Sequence, residues 1–222
     1  MEISVNDIRK SYRKHHVLNG ISFTASAGEC IGIAGKNGCG KSTLLSILAG
    51  VQRRDSGSFA LDGHELFLSH KDLRNNVGYV PQGTPLMEEL NAKDNLQLWY
   101  TKAEMEKELS EGVLKLLGID EFLKTTVSKM SGGMKKRLSI GCAMSKKPPV
   151  LLLDEPCAAL DLECKEKIIS YLKDYKSRDG IVVITSHDAM ELSICDRMFI
   201  MRDGVLVSYT YTGDIEDLVN NL

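Results

Sequence analysis

The chain has 222 residues, 43% hydrophobic and 26% charged, with a net charge of −2. That length suits one large domain, or a core domain carrying a smaller insert, and the composition is that of a globular protein. No basic excess points to nucleic acid, no basic start and apolar run mark a signal peptide, and no apolar stretch approaches the roughly 20 residues that span a bilayer.

The chain is therefore expected to be cytoplasmic, with docking on a membrane protein left open. Six cysteines, Cys30, Cys39, Cys142, Cys157, Cys164 and Cys195, form no CxxC pair and join no histidine cluster, so reduced thiols are expected rather than zinc.

In chain order, "MEISVNDIRK" (1–10) alternates apolar and polar residues and reads as a strand. The first 30 residues and the segment 57–62 read as antiparallel strands. "ECIGIAG" (29–35) is a short apolar run bounded by glycine, a buried strand, and "KSTLLSILAGV" (41–51) has helical periodicity. From about 84 to 130 the chain is charged, helical and short of strand signals. "VLLLDEP" (150–156) is a second buried strand, stopped by Pro156. Residues 161–178 form an amphipathic helix with Ile168, Ile169, Leu172 and Tyr175 on one face. "GIVVITS" (180–186) is a third buried strand. A helix is expected near His187, then a strand over 197–202 and a hairpin through "RDGV". Apolar strands alternating with helices predict an α/β fold with a mainly parallel sheet covered on both faces. Residues 84–134 read as a helical subdomain inserted into a core of 1–83 and 135–222.

Four stretches carry chemistry. "GKNGCGKS" (35–42) fits G-x-x-x-x-G-K-[ST] and lies between a buried strand and a helix, where that motif works. Gly35, Gly38 and Gly40 let backbone N–H groups turn toward phosphate. The helix N-terminus adds its dipole, Lys41 a charge for the β- and γ-phosphates, and Ser42 a hydroxyl for Mg²⁺. Asp154 ends the strand "VLLLD", where its carboxylate would meet Mg²⁺, and Glu155 follows, placed to polarise water. His187 lies just past "ITS", at the carboxyl end of another strand and facing the same crevice. Gln82 ends "YVPQ", and its neutral amide suits metal or water. The fifth stretch of interest, "MSGGMKKR" (130–137), reads alone as an ordinary glycine turn.

Taken together, these residues resemble the nucleotide-binding subunits of ABC transporters over nearly the whole chain. The resemblance implies a P-loop NTPase (RecA-like) core, with N-terminal antiparallel strands and an inserted helical subdomain. It implies that Gly35, Lys36, Asn37, Gly38, Cys39, Gly40, Lys41, Ser42 and Thr43 form the Walker A loop for ATP, and that Tyr12 stacks on adenine. Ser42, Gln82 and Asp154 become the Mg²⁺ side, and Glu155, His187 and Gln82 the hydrolytic group. "MSGGM" resembles the family signature, so Ser131, Gly132 and Gly133 would touch ATP bound to a second subunit. "AALD" (158–161) resembles the D-loop, with Asp161 as its acid. The implied assembly is a head-to-tail dimer, homomeric or heteromeric, working on a separate membrane permease at the inner face of the cell membrane. Export is the expected direction, with import and a soluble role such as iron–sulfur assembly as alternatives.

The sequence departs from the family pattern in places. Met130 replaces Leu, a nearly volume-conserving change. Met134 replaces Gln and is expected to pack on Leu138, and Ala158 stands where Ser is common. Cys39 is read as a small residue that the loop tolerates. Leu98, Trp99 and Tyr100 are candidates for a partner groove, with Leu98 expected to pack inward instead.

Overall fold

The computed structural model describes residues 1–158 and 160–222, the side chain of Ile215 excepted. β1 (Glu2–Tyr12) and β2 (His15–Ser26) alternate buried and exposed residues and pair as an antiparallel hairpin. β3 (Cys30–Ala34), buried throughout, leads to α1 (Lys41–Leu48). β4 (Ser56–Leu61) and β5 (His64–Glu65) complete a four-stranded sheet in the order β2-β1-β4-β5. Next come α2 (His70–Asn76) and β6 (Val77–Val80). Short helices follow: α3 (Ala92–Gln97), α4 (Lys102–Ser110) and α5 (Val113–Leu116), then the longer α6 (Gly132–Ala143). β7 (Val150–Asp154), α7 (Leu162–Ser177) and β8 (Ile181–Thr185) lead to α8 (Ala189–Leu192). The chain closes with the hairpin β9 (Arg197–Arg202) and β10 (Val205–Tyr209), then α9 (Ile215–Asn221).

The second sheet has the order β10-β9-β3-β8-β7-β6, and every neighbouring pair is parallel except β10 with β9. Its strands read as unbroken apolar runs because both faces are buried. On β7, Leu151 and Leu153 enter the core built with α6 and α7, while Val150 and Leu152 enter the core shared with α1 and the antiparallel sheet. Parallel pairing brings the carboxyl ends of β3, β6, β7 and β8 to one edge.

The helix expected near His187 is α8, which starts at Ala189 because Asp188 caps it by accepting from the Met190 N–H. His187 stays in the preceding loop. One expectation is corrected: Leu98 does not pack inward. It is 58% exposed, as Trp99 is at 56%. Tyr100 is buried instead, and its hydroxyl donates to the Gly141 carbonyl at 2.6 Å. Leu96 and Tyr100 are one helical turn apart and share the inner face, so residues 98 and 99 fall outside it.

Candidate active site

β3 ends among buried residues at Ala34, and the loop from Gly35 returns the chain into α1 with Gly40 as N-cap. Gly40 has φ 114°, and a Cβ there would lie 3.1 Å from the Val17 carbonyl oxygen and from the side chains of Val17 and Leu18. Only glycine lets the loop pass so close beneath β2. Lys41 is 6% exposed, and its Nζ donates to the carbonyls of Gly35 at 2.5 Å and Lys36 at 3.2 Å. The ammonium is therefore held against its own loop. Ser42 and Thr43 lie in the first turn of α1, where backbone N–H groups lack intrahelical acceptors.

Asp154 and Thr185 are register partners at the ends of β7 and β8. The Thr185 hydroxyl donates to Asp154 Oδ1 at 2.6 Å and accepts from the Glu155 N–H at 3.1 Å. That same N–H also meets the Thr185 carbonyl at 3.1 Å. Glu155 adopts φ 46°, a left-handed backbone conformation that costs a non-glycine residue about 1 kcal/mol or more. The bonds to Thr185 hold it there. Gln82, just past β6, donates from Nε2 to Glu155 Oε2 at 2.9 Å, and His187 Nε2 lies 3.9 Å from Glu155 Oε1. Burial, and then the charge of Lys41, push the His187 imidazole below its usual pKa against the opposing pull of Glu155.

A cavity of about 480 Å³ lies between the loop and the Gln82–Glu155 pair, lined by Asn37, Gly38, Gly40, Lys41, Ser42, Thr43, Gln82 and Glu155, with His15 and Val17; Asp154 and His187 are not in its lining. A larger cavity of about 820 Å³, lined in part by Val113, Leu116, Met144 and Tyr171, contains none of the motif residues, so size alone does not mark the site. Tyr12 lies outside the 480 Å³ cavity. It is 43% exposed, faces His15 across the hairpin and accepts a hydrogen bond from Gln52. Ser131, Gly132 and Gly133 line neither cavity. Ser131 caps α6, with its Oγ accepting from the Met134 N–H at 3.2 Å. Met134 packs against the core cluster that contains Leu138. Asp161 caps α7 by accepting from the Cys164 N–H at 2.8 Å, and those bonds hold its carboxyl below the usual range. Ala159 of "AALD" lies outside the described residues.

The donor set suits a hard divalent cation such as Mg²⁺: a hydroxyl, an amide oxygen and a carboxylate. Gln82 Nε2 is engaged by Glu155 and Asp154 Oδ1 by Thr185, so Gln82 Oε1 and Asp154 Oδ2 could face such an ion. Sequence reasoning missed Thr185, His15 and Val17. Thr185 stood within "ITSHD", but a strand-end threonine carries no signal until its neighbour across the sheet is known. His15 and Val17 reach the cavity only through the fold of the β1–β2 hairpin.

Residues 18–158 match a protein-family description that reads "ABC transporter". A linearmycin-resistance ATP-binding protein of Bacillus subtilis is 34% identical over 93% of this chain and 68% of its own length. A methionine-import ATP-binding protein of Clostridioides difficile is 35% identical over 97% of this chain and 70% of its own. A Nod factor export ATP-binding protein of Burkholderia lata is 32% identical over 91% and 68%. The chain thus spans about two thirds of these relatives' lengths. A dimeric, post-hydrolysis ATP-binding cassette bound to ADP and phosphate superposes with a TM-score of 0.83 at 27% identity, over 94% of this chain and 98% of that one.

Proposed function

The chain belongs to the ABC transporter family as an ATP-binding, ATP-hydrolysing subunit, and we propose that its cavity hydrolyses ATP between two such subunits to drive a separate membrane permease. The observation that carries the reading is the Gln82–Glu155 contact of 2.9 Å in the lining of the cavity that Lys41 and Ser42 also line.

In this reading the loop N–H groups and Lys41 hold the β- and γ-phosphates. Mg²⁺, held by Ser42, Gln82 and Asp154, would neutralise phosphate charge. Glu155 accepts a hydrogen from the attacking water, and Gln82 orients its carboxylate. A neutral His187 donates an N–H toward the γ-phosphate without adding a second cation beside Lys41. Tyr12 stacks at the adenine end. Ser131, Gly132 and Gly133 present a capped helix end to the ATP of a partner subunit, with Asp161 nearby at the dimer surface. ATP favours the closed dimer through contacts that exist only there.

Residues 84–134 form the helical subdomain in this reading, with the exposed Leu98 and Trp99 as the docking surface for the permease at the inner membrane face. No helix of the described residues is long and apolar enough to cross a membrane, and in this reading a separate permease supplies the spanning part. Export is our reading of direction, supported by the likeness to the Nod factor export protein; the methionine-import relative stands against it at similar identity.

Glu155→Gln tests the core of the proposal. It should retain Mg-ATP binding, lose about 100-fold or more in turnover, and accumulate as an ATP-dependent dimer in light scattering. A variant that stays monomeric with saturating Mg-ATP would count against the sandwich. The same variant, captured from its native cell in mild detergent, should bring down a multi-span membrane protein. Recovery of soluble partners alone would remove the transporter role and leave the ATPase.

A further inference from the structure

Helix α6 carries a buried cation that the proposed chemistry does not use. Lys136 is 4% exposed. Burying an ammonium is costly unless its donors are satisfied. Here Nζ donates to the Pro81 carbonyl at 2.9 Å and to the Gln82 carbonyl at 3.0 Å. Residues 81–90 have no helix or strand of their own, so these carbonyls take a side-chain donor in place of a ladder partner. The gripped residue is the one whose side chain donates to Glu155. Burial pushes the Lys136 ammonium below its usual pKa, against the opposing pull of the nearby carboxylates of Asp154, Glu191 and Glu155.

The far end of the segment is fastened to the same stretch of chain. Lys135 pairs with Glu88 at 3.4 Å, the Ser128 N–H donates to the Glu88 carbonyl at 3.1 Å, and the Val127 N–H to the Leu90 carbonyl at 2.9 Å. Those contacts lie at the surface or away from Glu155. Lys136 alone among these side chains reaches from the helix that Ser131 caps to the backbone of Gln82.

We propose that Lys136 is a positioning residue that couples the Ser131–Gly133 end of α6 to the Gln82–Glu155 contact. A phosphate held by the helix end of this subunit, in the partner's site, thereby bears on hydrolysis in the subunit's own site. The inference rests on the roles proposed above for Gln82 and the helix end. Lys136 touches no reacting atom. It acts through the backbone of Gln82.

The test is a kinetic cycle on the full chain with Mg-ATP. Lys136→Met keeps the apolar stem and removes the donors. Its kcat should fall about tenfold or more, since small misplacements of a positioned group cost that much, while KM for ATP stays within about twofold. Lys136→Arg should recover most of the rate. In a Gln82→Ala background, Lys136→Met should cost less than about twofold further, because the two changes remove one shared effect. A full-rate Lys136→Met beside a slow Gln82→Ala sinks this inference alone. So does a loss in the double variant equal to the product of the single losses. A Gln82→Ala variant with unchanged turnover sinks the hydrolytic role of Gln82, and the inference with it. Should Lys136→Met fail to fold, Lys136→Gln, which keeps an uncharged NH2 donor on a shorter stem, runs the same cycle.

Discussion

The start of α1 and the start of α6 look alike in sequence: glycines, a hydroxyl residue and a lysine that becomes buried. They are built for different reasons. At α1, Gly40 is required by its φ of 114° and by the closeness of β2. At α6, Gly133 is required by packing, because a Cβ there would lie 2.3 Å from Cys164 Sγ on α7. The lysines differ in the same way. Lys41 donates to carbonyls of its own loop, and Lys136 to carbonyls of a segment far along the chain. One helix end therefore has its lysine satisfied within its own loop. The other is a capped end whose Gly133 and lysine connect it to neighbouring elements.

That contrast can be broken most forcefully at the lysines. Lys41→Ala should weaken ATP affinity about 10- to 100-fold, the range for a lost charge-assisted hydrogen bond, whereas Lys136→Met should leave affinity nearly untouched. Fluorescent-nucleotide titration of both variants checks this, and equal losses would erase the distinction.

The glycines sharpen it. Gly40→Ala should cost about 1–3 kcal/mol of stability through backbone strain and lower nucleotide binding by the isolated subunit. Gly132→Ala adds a Cβ only 3.7 Å from Leu160 Cδ2, an ordinary contact, so its melting temperature should stay close to the parent's. Its effect should appear in ATP-dependent dimerisation, read in the Glu155→Gln background. A Gly132→Ala protein that dimerises normally would argue against phosphate contact at that helix end.

Thr185→Val tests how the α1 side is assembled. The change keeps the shape and deletes the hydroxyl between Asp154 and Glu155. Denaturant melts should show a loss of about 1–3 kcal/mol, the cost of stranding buried polar partners, with slower turnover alongside.

The smallest expected effect concerns pH. Because the His187 pKa is lowered in the folded protein, the unfolded chain binds more protons as pH falls through the usual imidazole range near 6.5. The stability tied to neutral His187 is present above that range and is lost as pH falls toward the folded pKa. His187→Gln should flatten this slope in urea midpoints measured from pH 7.5 down to 5.5. An unchanged slope would mean that other groups carry it.

Much of this was legible in the residues. Buried strands announced themselves as apolar runs at 30–34, 150–154 and 181–185, because a parallel sheet covered on both faces has no polar side to interrupt the pattern. The loop 35–42 was readable because its backbone path, its phosphate chemistry and its flanking elements are all local in sequence. The amphipathic face of α7 was readable for the same reason, and Ile168, Ile169 and Leu172 are buried as its periodicity required.

What stayed hidden is contact between distant segments. Leu98 and Tyr100 exchanged their expected environments, because which face of this short helical turn is the inner one was decided by Tyr100 docking on the Gly141 carbonyl of α6. Thr185 acquires its role only when β8 lies beside β7. Lys136 acquires its role only when α6 passes beneath residues 81 and 82. Local pattern determines which backbone each segment adopts. The partner that satisfies a buried hydroxyl or ammonium is chosen by tertiary packing, since that polar group must find a mate wherever the fold has placed one.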